Sequence, residues 1–99
     1  MPDPLFQFEI LTPERTFYSA KVVSLIAPGM EGYFGVWAHH APLLARSQGG
    51  KLKVRDESHE ERFFQVGPGI VEVLKNRVIF LTKQAQTTGV EEAPSPSKR

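Results

Sequence analysis

Apolar and polar residues alternate along much of this chain. Phe6, Phe8 and Ile10 alternate with Gln7 and Glu9, and Leu52 and Val54 alternate with Lys51, Lys53 and Arg55. A period of two puts apolar side chains on one face and charge on the other, the pattern of a half-buried strand. Val22 to Ile26, Phe63 to Val66, Ile70 to Leu74 and Val78 to Leu81 are short apolar runs rich in β-branched or aromatic residues. Such runs are too short to stand alone as helices and suit strands. No stretch before residue 84 carries the i, i+3, i+4 spacing of an amphipathic helix.

The residues between these runs are turn formers. Asp56-Glu-Ser-His-Glu-Glu61 is a polar connection, so Lys51 to Val66 reads as a hairpin. Lys75-Asn-Arg77 joins the last two runs, with Asn76 suited to the left-handed conformation of a tight turn. Pro28-Gly29, Gly49-Gly50 and Gly67-Pro-Gly69 mark further reversals or bulges. Closely spaced strands with turns between them predict an all-β fold, a flattened antiparallel β-sandwich or barrel. After Ala85 the pattern dissolves. The segment Gln86-Thr-Thr-Gly-Val-Glu-Glu-Ala-Pro-Ser-Pro-Ser-Lys-Arg99 is too polar to offset the entropy of ordering. A β-domain over residues 1–86 and a disordered tail over 87–99 are expected.

Composition narrows the function. Ninety-nine residues make one domain, and a chain of this size buries only about 60–65% of its unfolded surface. A net charge of +1 argues against a nucleic-acid binder, which carries a dense basic face. With no cysteine, disulfide scaffolds and thiolate chemistry are excluded. No apolar run approaches the ~20 residues of a membrane span, and Met1-Pro-Asp-Pro4 is neither a signal peptide nor a transit sequence. A soluble cytosolic or matrix-side domain is expected.

The densest segment is Glu31-Gly-Tyr-Phe-Gly-Val-Trp-Ala-His-His-Ala-Pro-Leu-Leu44. Gly32 and Gly35 can supply positive φ, and Tyr33, Phe34 and Trp37 supply large contact area at low rotamer cost. His39 and His40 suggest a metal, but neighbours on an extended segment point to opposite faces, and no cysteine completes a set. No serine sits in a Gly-x-Ser-x-Gly elbow. The carboxylates Asp56, Glu57, Glu60 and Glu61 crowd one turn, and the glycines build no phosphate loop. Catalytic, cofactor and metal residues are therefore not expected. Alternation sends Tyr33 to the face opposite Phe34, so the rings cannot all point inward, and an exposed ring in a glycine-flanked loop marks a protein contact. A binding or structural subunit is favoured over an enzyme.

Four blocks, in order, carry a family resemblance: Phe8-Glu-Ile-Leu-Thr-Pro-Glu-Arg15; Pro28-Gly-Met-Glu-Gly-Tyr-Phe-Gly-Val36; His40-Ala-Pro-Leu-Leu44; and Gly69-Ile-Val-Glu-Val73 followed by Val78-Ile-Phe-Leu81. Over about residues 5–86 the chain resembles the N-terminal β-domain of the epsilon subunit of F-type rotary ATP synthases, called delta in mitochondria. The resemblance implies a flattened β-sandwich of about ten strands, without catalysis of its own, at the foot of the central stalk. One face would grip the gamma subunit and a loop would touch the polar loops of the c-ring, coupling proton- or sodium-driven rotation to ATP synthesis. Carried over residue by residue, the c-ring interface falls on Glu31, Gly32, Tyr33 and Phe34, and the gamma interface on Thr12, His40 and Ala45. It further implies a peripheral position on the cytoplasmic face of the bacterial inner membrane, reached only through the complex.

The chain departs from the family pattern in three places. Ala38 and His39 stand where Pro-Gly is usual, and Pro68-Gly69 stands where two glycines are common, removing one backbone donor. The family's two C-terminal helices, which inhibit hydrolysis and in some bacteria bind ATP, meet Pro94 and Pro96 here, which would stop a helix. Those two activities are not carried over, and a naturally short chain is expected rather than a truncation. The alternative is a free-standing β-sandwich module that binds a protein or ligand and shares only the fold.

Overall fold

The computed structural model describes residues 3–88, and strand pairing accounts for most of them. The strands are β1 (Phe6–Thr12), β2 (Arg15–Pro28), β3 (Tyr33–Trp37), β4 (Leu43–Ser47), β5 (Gly50–Asp56), β6 (Glu61–Val66), β7 (Gly69–Leu74), β8 (Arg77–Thr82) and β9 (Ala85–Thr88). Pairing runs β4-β7-β8-β1-β2-β5-β6-β9, with β3 on β2.

The 14-residue β2 organises the fold. Its first half pairs with β1 and its second half with β3 along the same edge, while Val22 to Ile26 pair with β5 on the other edge. The ladder to β5 shifts register between Val22 and Ser24, and such a bulge bends a strand and increases its twist. Bent there, β2 belongs to two layers. The first is β4-β7-β8-β1 with the start of β2; the second is β3, the end of β2, β5, β6 and β9.

Alternation builds the core between them. Phe6, Phe8, Ile10, Val71, Val73, Val78 and Phe80 come from the first layer, and Leu25, Ala27, Val36, Leu52, Val54, Phe64 and Val66 from the second. A second register shift, between Ile10 and Leu11, leaves Phe17 as the extra residue on β2. Phe17 and Tyr18 can then both reach Phe64, with ring centroids 6.1 and 4.7 Å away.

The predicted all-β sandwich is present, with three differences. Nine strands are found among the described residues rather than about ten, because β2 crosses between the layers unbroken and counts once. The pairing is not wholly antiparallel: β1 and β8 run parallel, Gln7 beside Arg77 through Leu11 beside Leu81. That pair closes the first layer after the chain has passed through the second, a long connection of the kind parallel strands require. Finally, β9 extends the paired structure to Thr88, opposite Phe63, two residues beyond the expected boundary. Polar Gln86, Thr87 and Thr88 find backbone partners on β6 without needing an apolar pattern of their own. The rest of the expected tail, 89–99, lies outside the described residues.

Candidate functional site

The hairpin between β2 and β3 forms one end of the second layer. Pro28 pairs with Tyr33, and the Gly29 N–H donates to the carbonyl of Gly32 at 2.8 Å. Gly32 has φ 132°, a conformation that side chains other than hydrogen rarely allow. Met30, Glu31 and Tyr33 are exposed, Tyr33 by 61%. Phe34, also expected at the c-ring interface, is half-buried and packs on the core, on the face opposite Tyr33. Gly35 serves space rather than a turn, since a β-carbon there would lie 2.6 Å from the Trp37 ring. Of the four residues expected to meet the c-ring, Glu31, Gly32 and Tyr33 form an exposed tip and Phe34 anchors it.

The three residues expected to meet gamma do not cluster. Thr12 ends β1, its hydroxyl donating to the Arg15 carbonyl at 3.1 Å across the Pro13-Glu14 turn. His40 is exposed in the connection from β3 to β4, with its Nδ1–H donating to the Ala41 carbonyl at 2.7 Å. Beside it, the His39 N–H donates to Asn76 Oδ1 at 2.7 Å, and Asn76 Nδ2 donates to the Leu5 carbonyl at 2.9 Å. His40 is therefore near the start of β1 and Thr12 at its end, a strand's length of roughly 20 Å apart. Ala45 faces the buried Val71 across the ladder, so its β-carbon sits on the inner side of β4. His39 has φ 63°, a left-handed conformation that glycine adopts most freely, at a position where the resemblance implies glycine.

What these residues bracket is an apolar face that residue-by-residue transfer did not include. On the outer side of the first layer, Ile70 lies between Arg46 and Leu81, and Leu81 lies beside Leu11. Leu44, Glu72, Ile79 and Glu9 form the neighbouring row. Leu44 is 73% exposed, and Ile70, Leu74 and Leu81 are each near 45%. A shallow groove of about 430 Å³ runs past Leu11, Thr12, Pro13, Pro68, Ile70 and Leu81. Two carboxylates lie in the Leu44 row, Glu72 between Leu44 and Ile79 and Glu9 at its β1 end; Glu9 is occupied, Arg77 Nη2 donating to it at 2.8 Å and the Ser19 hydroxyl at 3.2 Å. The Arg77 bond, more than the opposing burial, holds Glu9 below its ordinary pKa. Only part of the signal was in the sequence. Ile70 to Leu74 and Val78 to Leu81 carry apolar residues at positions of both parities, as strands covered on both faces do.

Among the described residues no group of three or more His, Asp or Glu side chains is placed to hold a metal. His59, with φ 66°, pairs with Asp3 at 3.3 Å in a different part of the surface from His39 and His40.

Comparison with known proteins gives one consistent result. The model of the ATP synthase, Delta/Epsilon chain, beta-sandwich domain matches residues 5–88. An ATP synthase epsilon chain from Chlorobium limicola is 41% identical over 81 residues, covering 82% of this chain and 92% of the relative. One from Moorella thermoacetica is 40% identical over 78 residues, covering 79% of this chain and 58% of the relative. Among solved structures, a chain of the Euglena gracilis mitochondrial ATP synthase OSCP/F1/c-ring assembly superposes with a TM-score of 0.79 at 19% identity, covering 88% of this chain and 56% of that one. A chain of the Tetrahymena thermophila mitochondrial ATP synthase central stalk/c-ring superposes at 0.70 with 16% identity, covering 100% of this chain and 77% of that one.

Proposed function

We infer the function of this chain from the premise that it belongs to the family of ATP synthase delta and epsilon chains: it is the epsilon subunit, a rotor component of the central stalk. It performs no bond chemistry and transmits torque. The outer face of the first layer grips the gamma subunit, and the Glu31-Gly32-Tyr33 tip rests on the polar loops of the c-ring, so that ion-driven rotation reaches the catalytic head. The domain is peripheral, on the cytoplasmic side of the membrane, and attaches through its partners; no helix among the described residues is long and apolar enough to cross a bilayer.

The observation that carries this reading is the set of exposed apolar side chains on one outer face, Ile70 and Leu81 beside half-buried Leu11, with Leu44 on the neighbouring row. A monomer gains nothing by leaving such a surface in water, and a patch of this kind marks a protein contact. The expected gamma residues lie around this face, although Ala45 points its own β-carbon inward. Thr12 borders the groove at one end, His40 lies toward the other end of the layer, and Ala45 adjoins Leu44. Titration of the cognate gamma subunit into the purified chain by calorimetry tests it. Saturable equimolar binding with a negative heat-capacity change, the mark of apolar burial, is expected; absence of binding contradicts the reading.

A further inference from the structure

The second layer has an outer face of its own, on the far side of the core from Leu44 and Leu81. Lys51, Lys53 and Arg55 occupy alternate positions on β5, so all three side chains point to this face, about 7 Å apart. Lys53 and Arg55 share a single carboxylate, Glu61, at 3.5 and 3.1 Å. Lys51 instead lies over the Phe63 ring, 5.7 Å from its centroid. Two cations on one anion, with a third on an aromatic ring, leave this face with surplus positive charge.

Beside the cations runs a groove of about 360 Å³. Its floor is Val23, Ser24 and Ile26, and the Asp3–His59 pair lies at its border. Trp37 forms the wall opposite Lys53 and Arg55. The indole is 56% exposed, yet it is not loose. Its ring lies against Gly35, whose missing β-carbon makes the room, and the Ile26 methyl group reaches the same spot. A large ring held flat on a sheet, half in water, costs little further ordering when a ligand covers it.

We propose that this groove docks an extended acidic peptide segment of a partner protein, carboxylates on Lys53 and Arg55 and an aliphatic side chain against Trp37 and Ile26. An extended chain repeats every two residues, as β5 does, so acidic groups at alternate positions meet the cation row in register while the intervening side chains point elsewhere. The concave form favours one peptide chain over a flat anionic membrane. Because the groove and the gamma-gripping face lie on opposite layers, both can be occupied together. Peptide docking in the groove does not depend on the gamma assignment; its occupation together with gamma rests on that reading.

Trp37 is the only tryptophan of the sequence, so its fluorescence reads the groove directly. The probe is an acetylated octapeptide alternating glutamate and leucine, with a glutamine–leucine peptide as control. A saturable shift of the emission to shorter wavelength is expected with the glutamate peptide and is weakened by salt. Binding of the glutamine peptide, and binding of the glutamate peptide by the double variant Lys53→Gln with Arg55→Gln, should each be about tenfold weaker. The variant should keep its circular dichroism spectrum and its gamma binding. No saturable change, an equal response from the variant or from the glutamine peptide, or a loss of gamma binding by the variant overturns the proposal. So does a response to phosphatidylserine vesicles larger than that to the glutamate peptide, which would assign the face to lipid.

Discussion

The side-chain oxygen of Asn76 accepts the backbone N–H of His39 at 2.7 Å, tying the β7–β8 turn to the connection that carries His40. Asn76 also donates to the Leu5 carbonyl at 2.9 Å and receives the Gln7 N–H on its own carbonyl at 3.2 Å. One residue thus holds three segments at the same end of the first layer. Lys75 and Asn76 have φ 52° and 62°, the paired positive values of a two-residue turn whose twist suits the flanking strands.

Two substitutions at Asn76 separate these roles. Asn76→Ala keeps a β-carbon in the left-handed region without the polar side chain that lets asparagine tolerate it, and loses the side-chain bonds, a cost of roughly 2 kcal/mol, or about 8–16 °C in thermal midpoint. Asn76→Gly keeps the turn and loses only the side-chain bonds, so its midpoint falls by less. Both variants should speed hydrogen exchange at the His39 amide. Equal midpoints for the alanine and glycine variants would remove the turn conformation from the explanation.

Tyr33 and Phe34 are adjacent but face different surroundings. Tyr33→Ala should leave the thermal midpoint of the isolated domain within about 4 °C, as exposed substitutions do, and weaken coupling in the assembled synthase. Phe34→Ala removes a half-buried ring packed on the core and should destabilise the domain, by less than the ~3–5 kcal/mol of a fully buried phenylalanine. Thermal denaturation of the two single variants checks the split, and a larger loss for Tyr33→Ala would contradict it.

How much of this was legible in the sequence follows from the range of each signal. Period-two alternation is local, so β1 and β5 could be read directly, while β7 and β8 were legible as short apolar runs without an assigned inward face. The first half of β2 could not, because the extra residue at Phe17 interrupts its alternation. β3 was read as an aromatic loop although Tyr33, Gly35 and Trp37 share one face; a glycine in that row hides the period. β9 has no apolar pattern at all and exists because β6 offers an edge. The parallel pairing of β1 with β8 joins residues some seventy positions apart, and no local pattern encodes it. The site divides the same way. The Glu31–Tyr33 tip was visible as turn chemistry, whereas the apolar face of Leu11, Leu44, Ile70 and Leu81 appears only when four strands are laid side by side.

Asp56 gives a pH signature. Its carboxylate accepts from Ser58 N at 2.9 Å, Glu60 N at 3.0 Å and Arg62 Nε at 2.9 Å. Burial pushes its pKa up, but the Arg62 bond and the two backbone donors outweigh that and leave it below the ordinary value. A carboxylate with a lowered folded-state pKa adds stability above its unfolded pKa and loses it as pH falls through the folded one. The midpoint gap between wild type and Asp56→Asn should therefore be constant above about pH 5 and shrink below about pH 4. A gap of the same size at neutral and strongly acidic pH would sink this account of the turn.

Leu44 and Ala45 are neighbours on β4 with opposite orientations. Leu44→Glu puts a charge on the apolar outer face and should weaken gamma binding by about 2 kcal/mol or more if Leu44 is a hot spot, with little change in the stability of the free chain. Ala45→Glu points the charge toward the inner side, where an unpaired carboxylate is unfavourable, and should lower the thermal midpoint itself. Calorimetry with gamma and thermal denaturation of each variant distinguish them; unchanged gamma affinity for Leu44→Glu would take this face out of the contact.

The central claim is that the first layer's outer face meets gamma in the assembled enzyme. With no cysteine in the sequence, a single introduced thiol carries a photoreactive label to one chosen place. Leu44→Cys, Leu81→Cys and Lys53→Cys chains, labelled and assembled into the cognate ATP synthase, are illuminated and their adducts identified by mass spectrometry. The account predicts adducts with gamma from positions 44 and 81 and none from position 53. Gamma adducts from position 53, with none from 44 or 81, would contradict it.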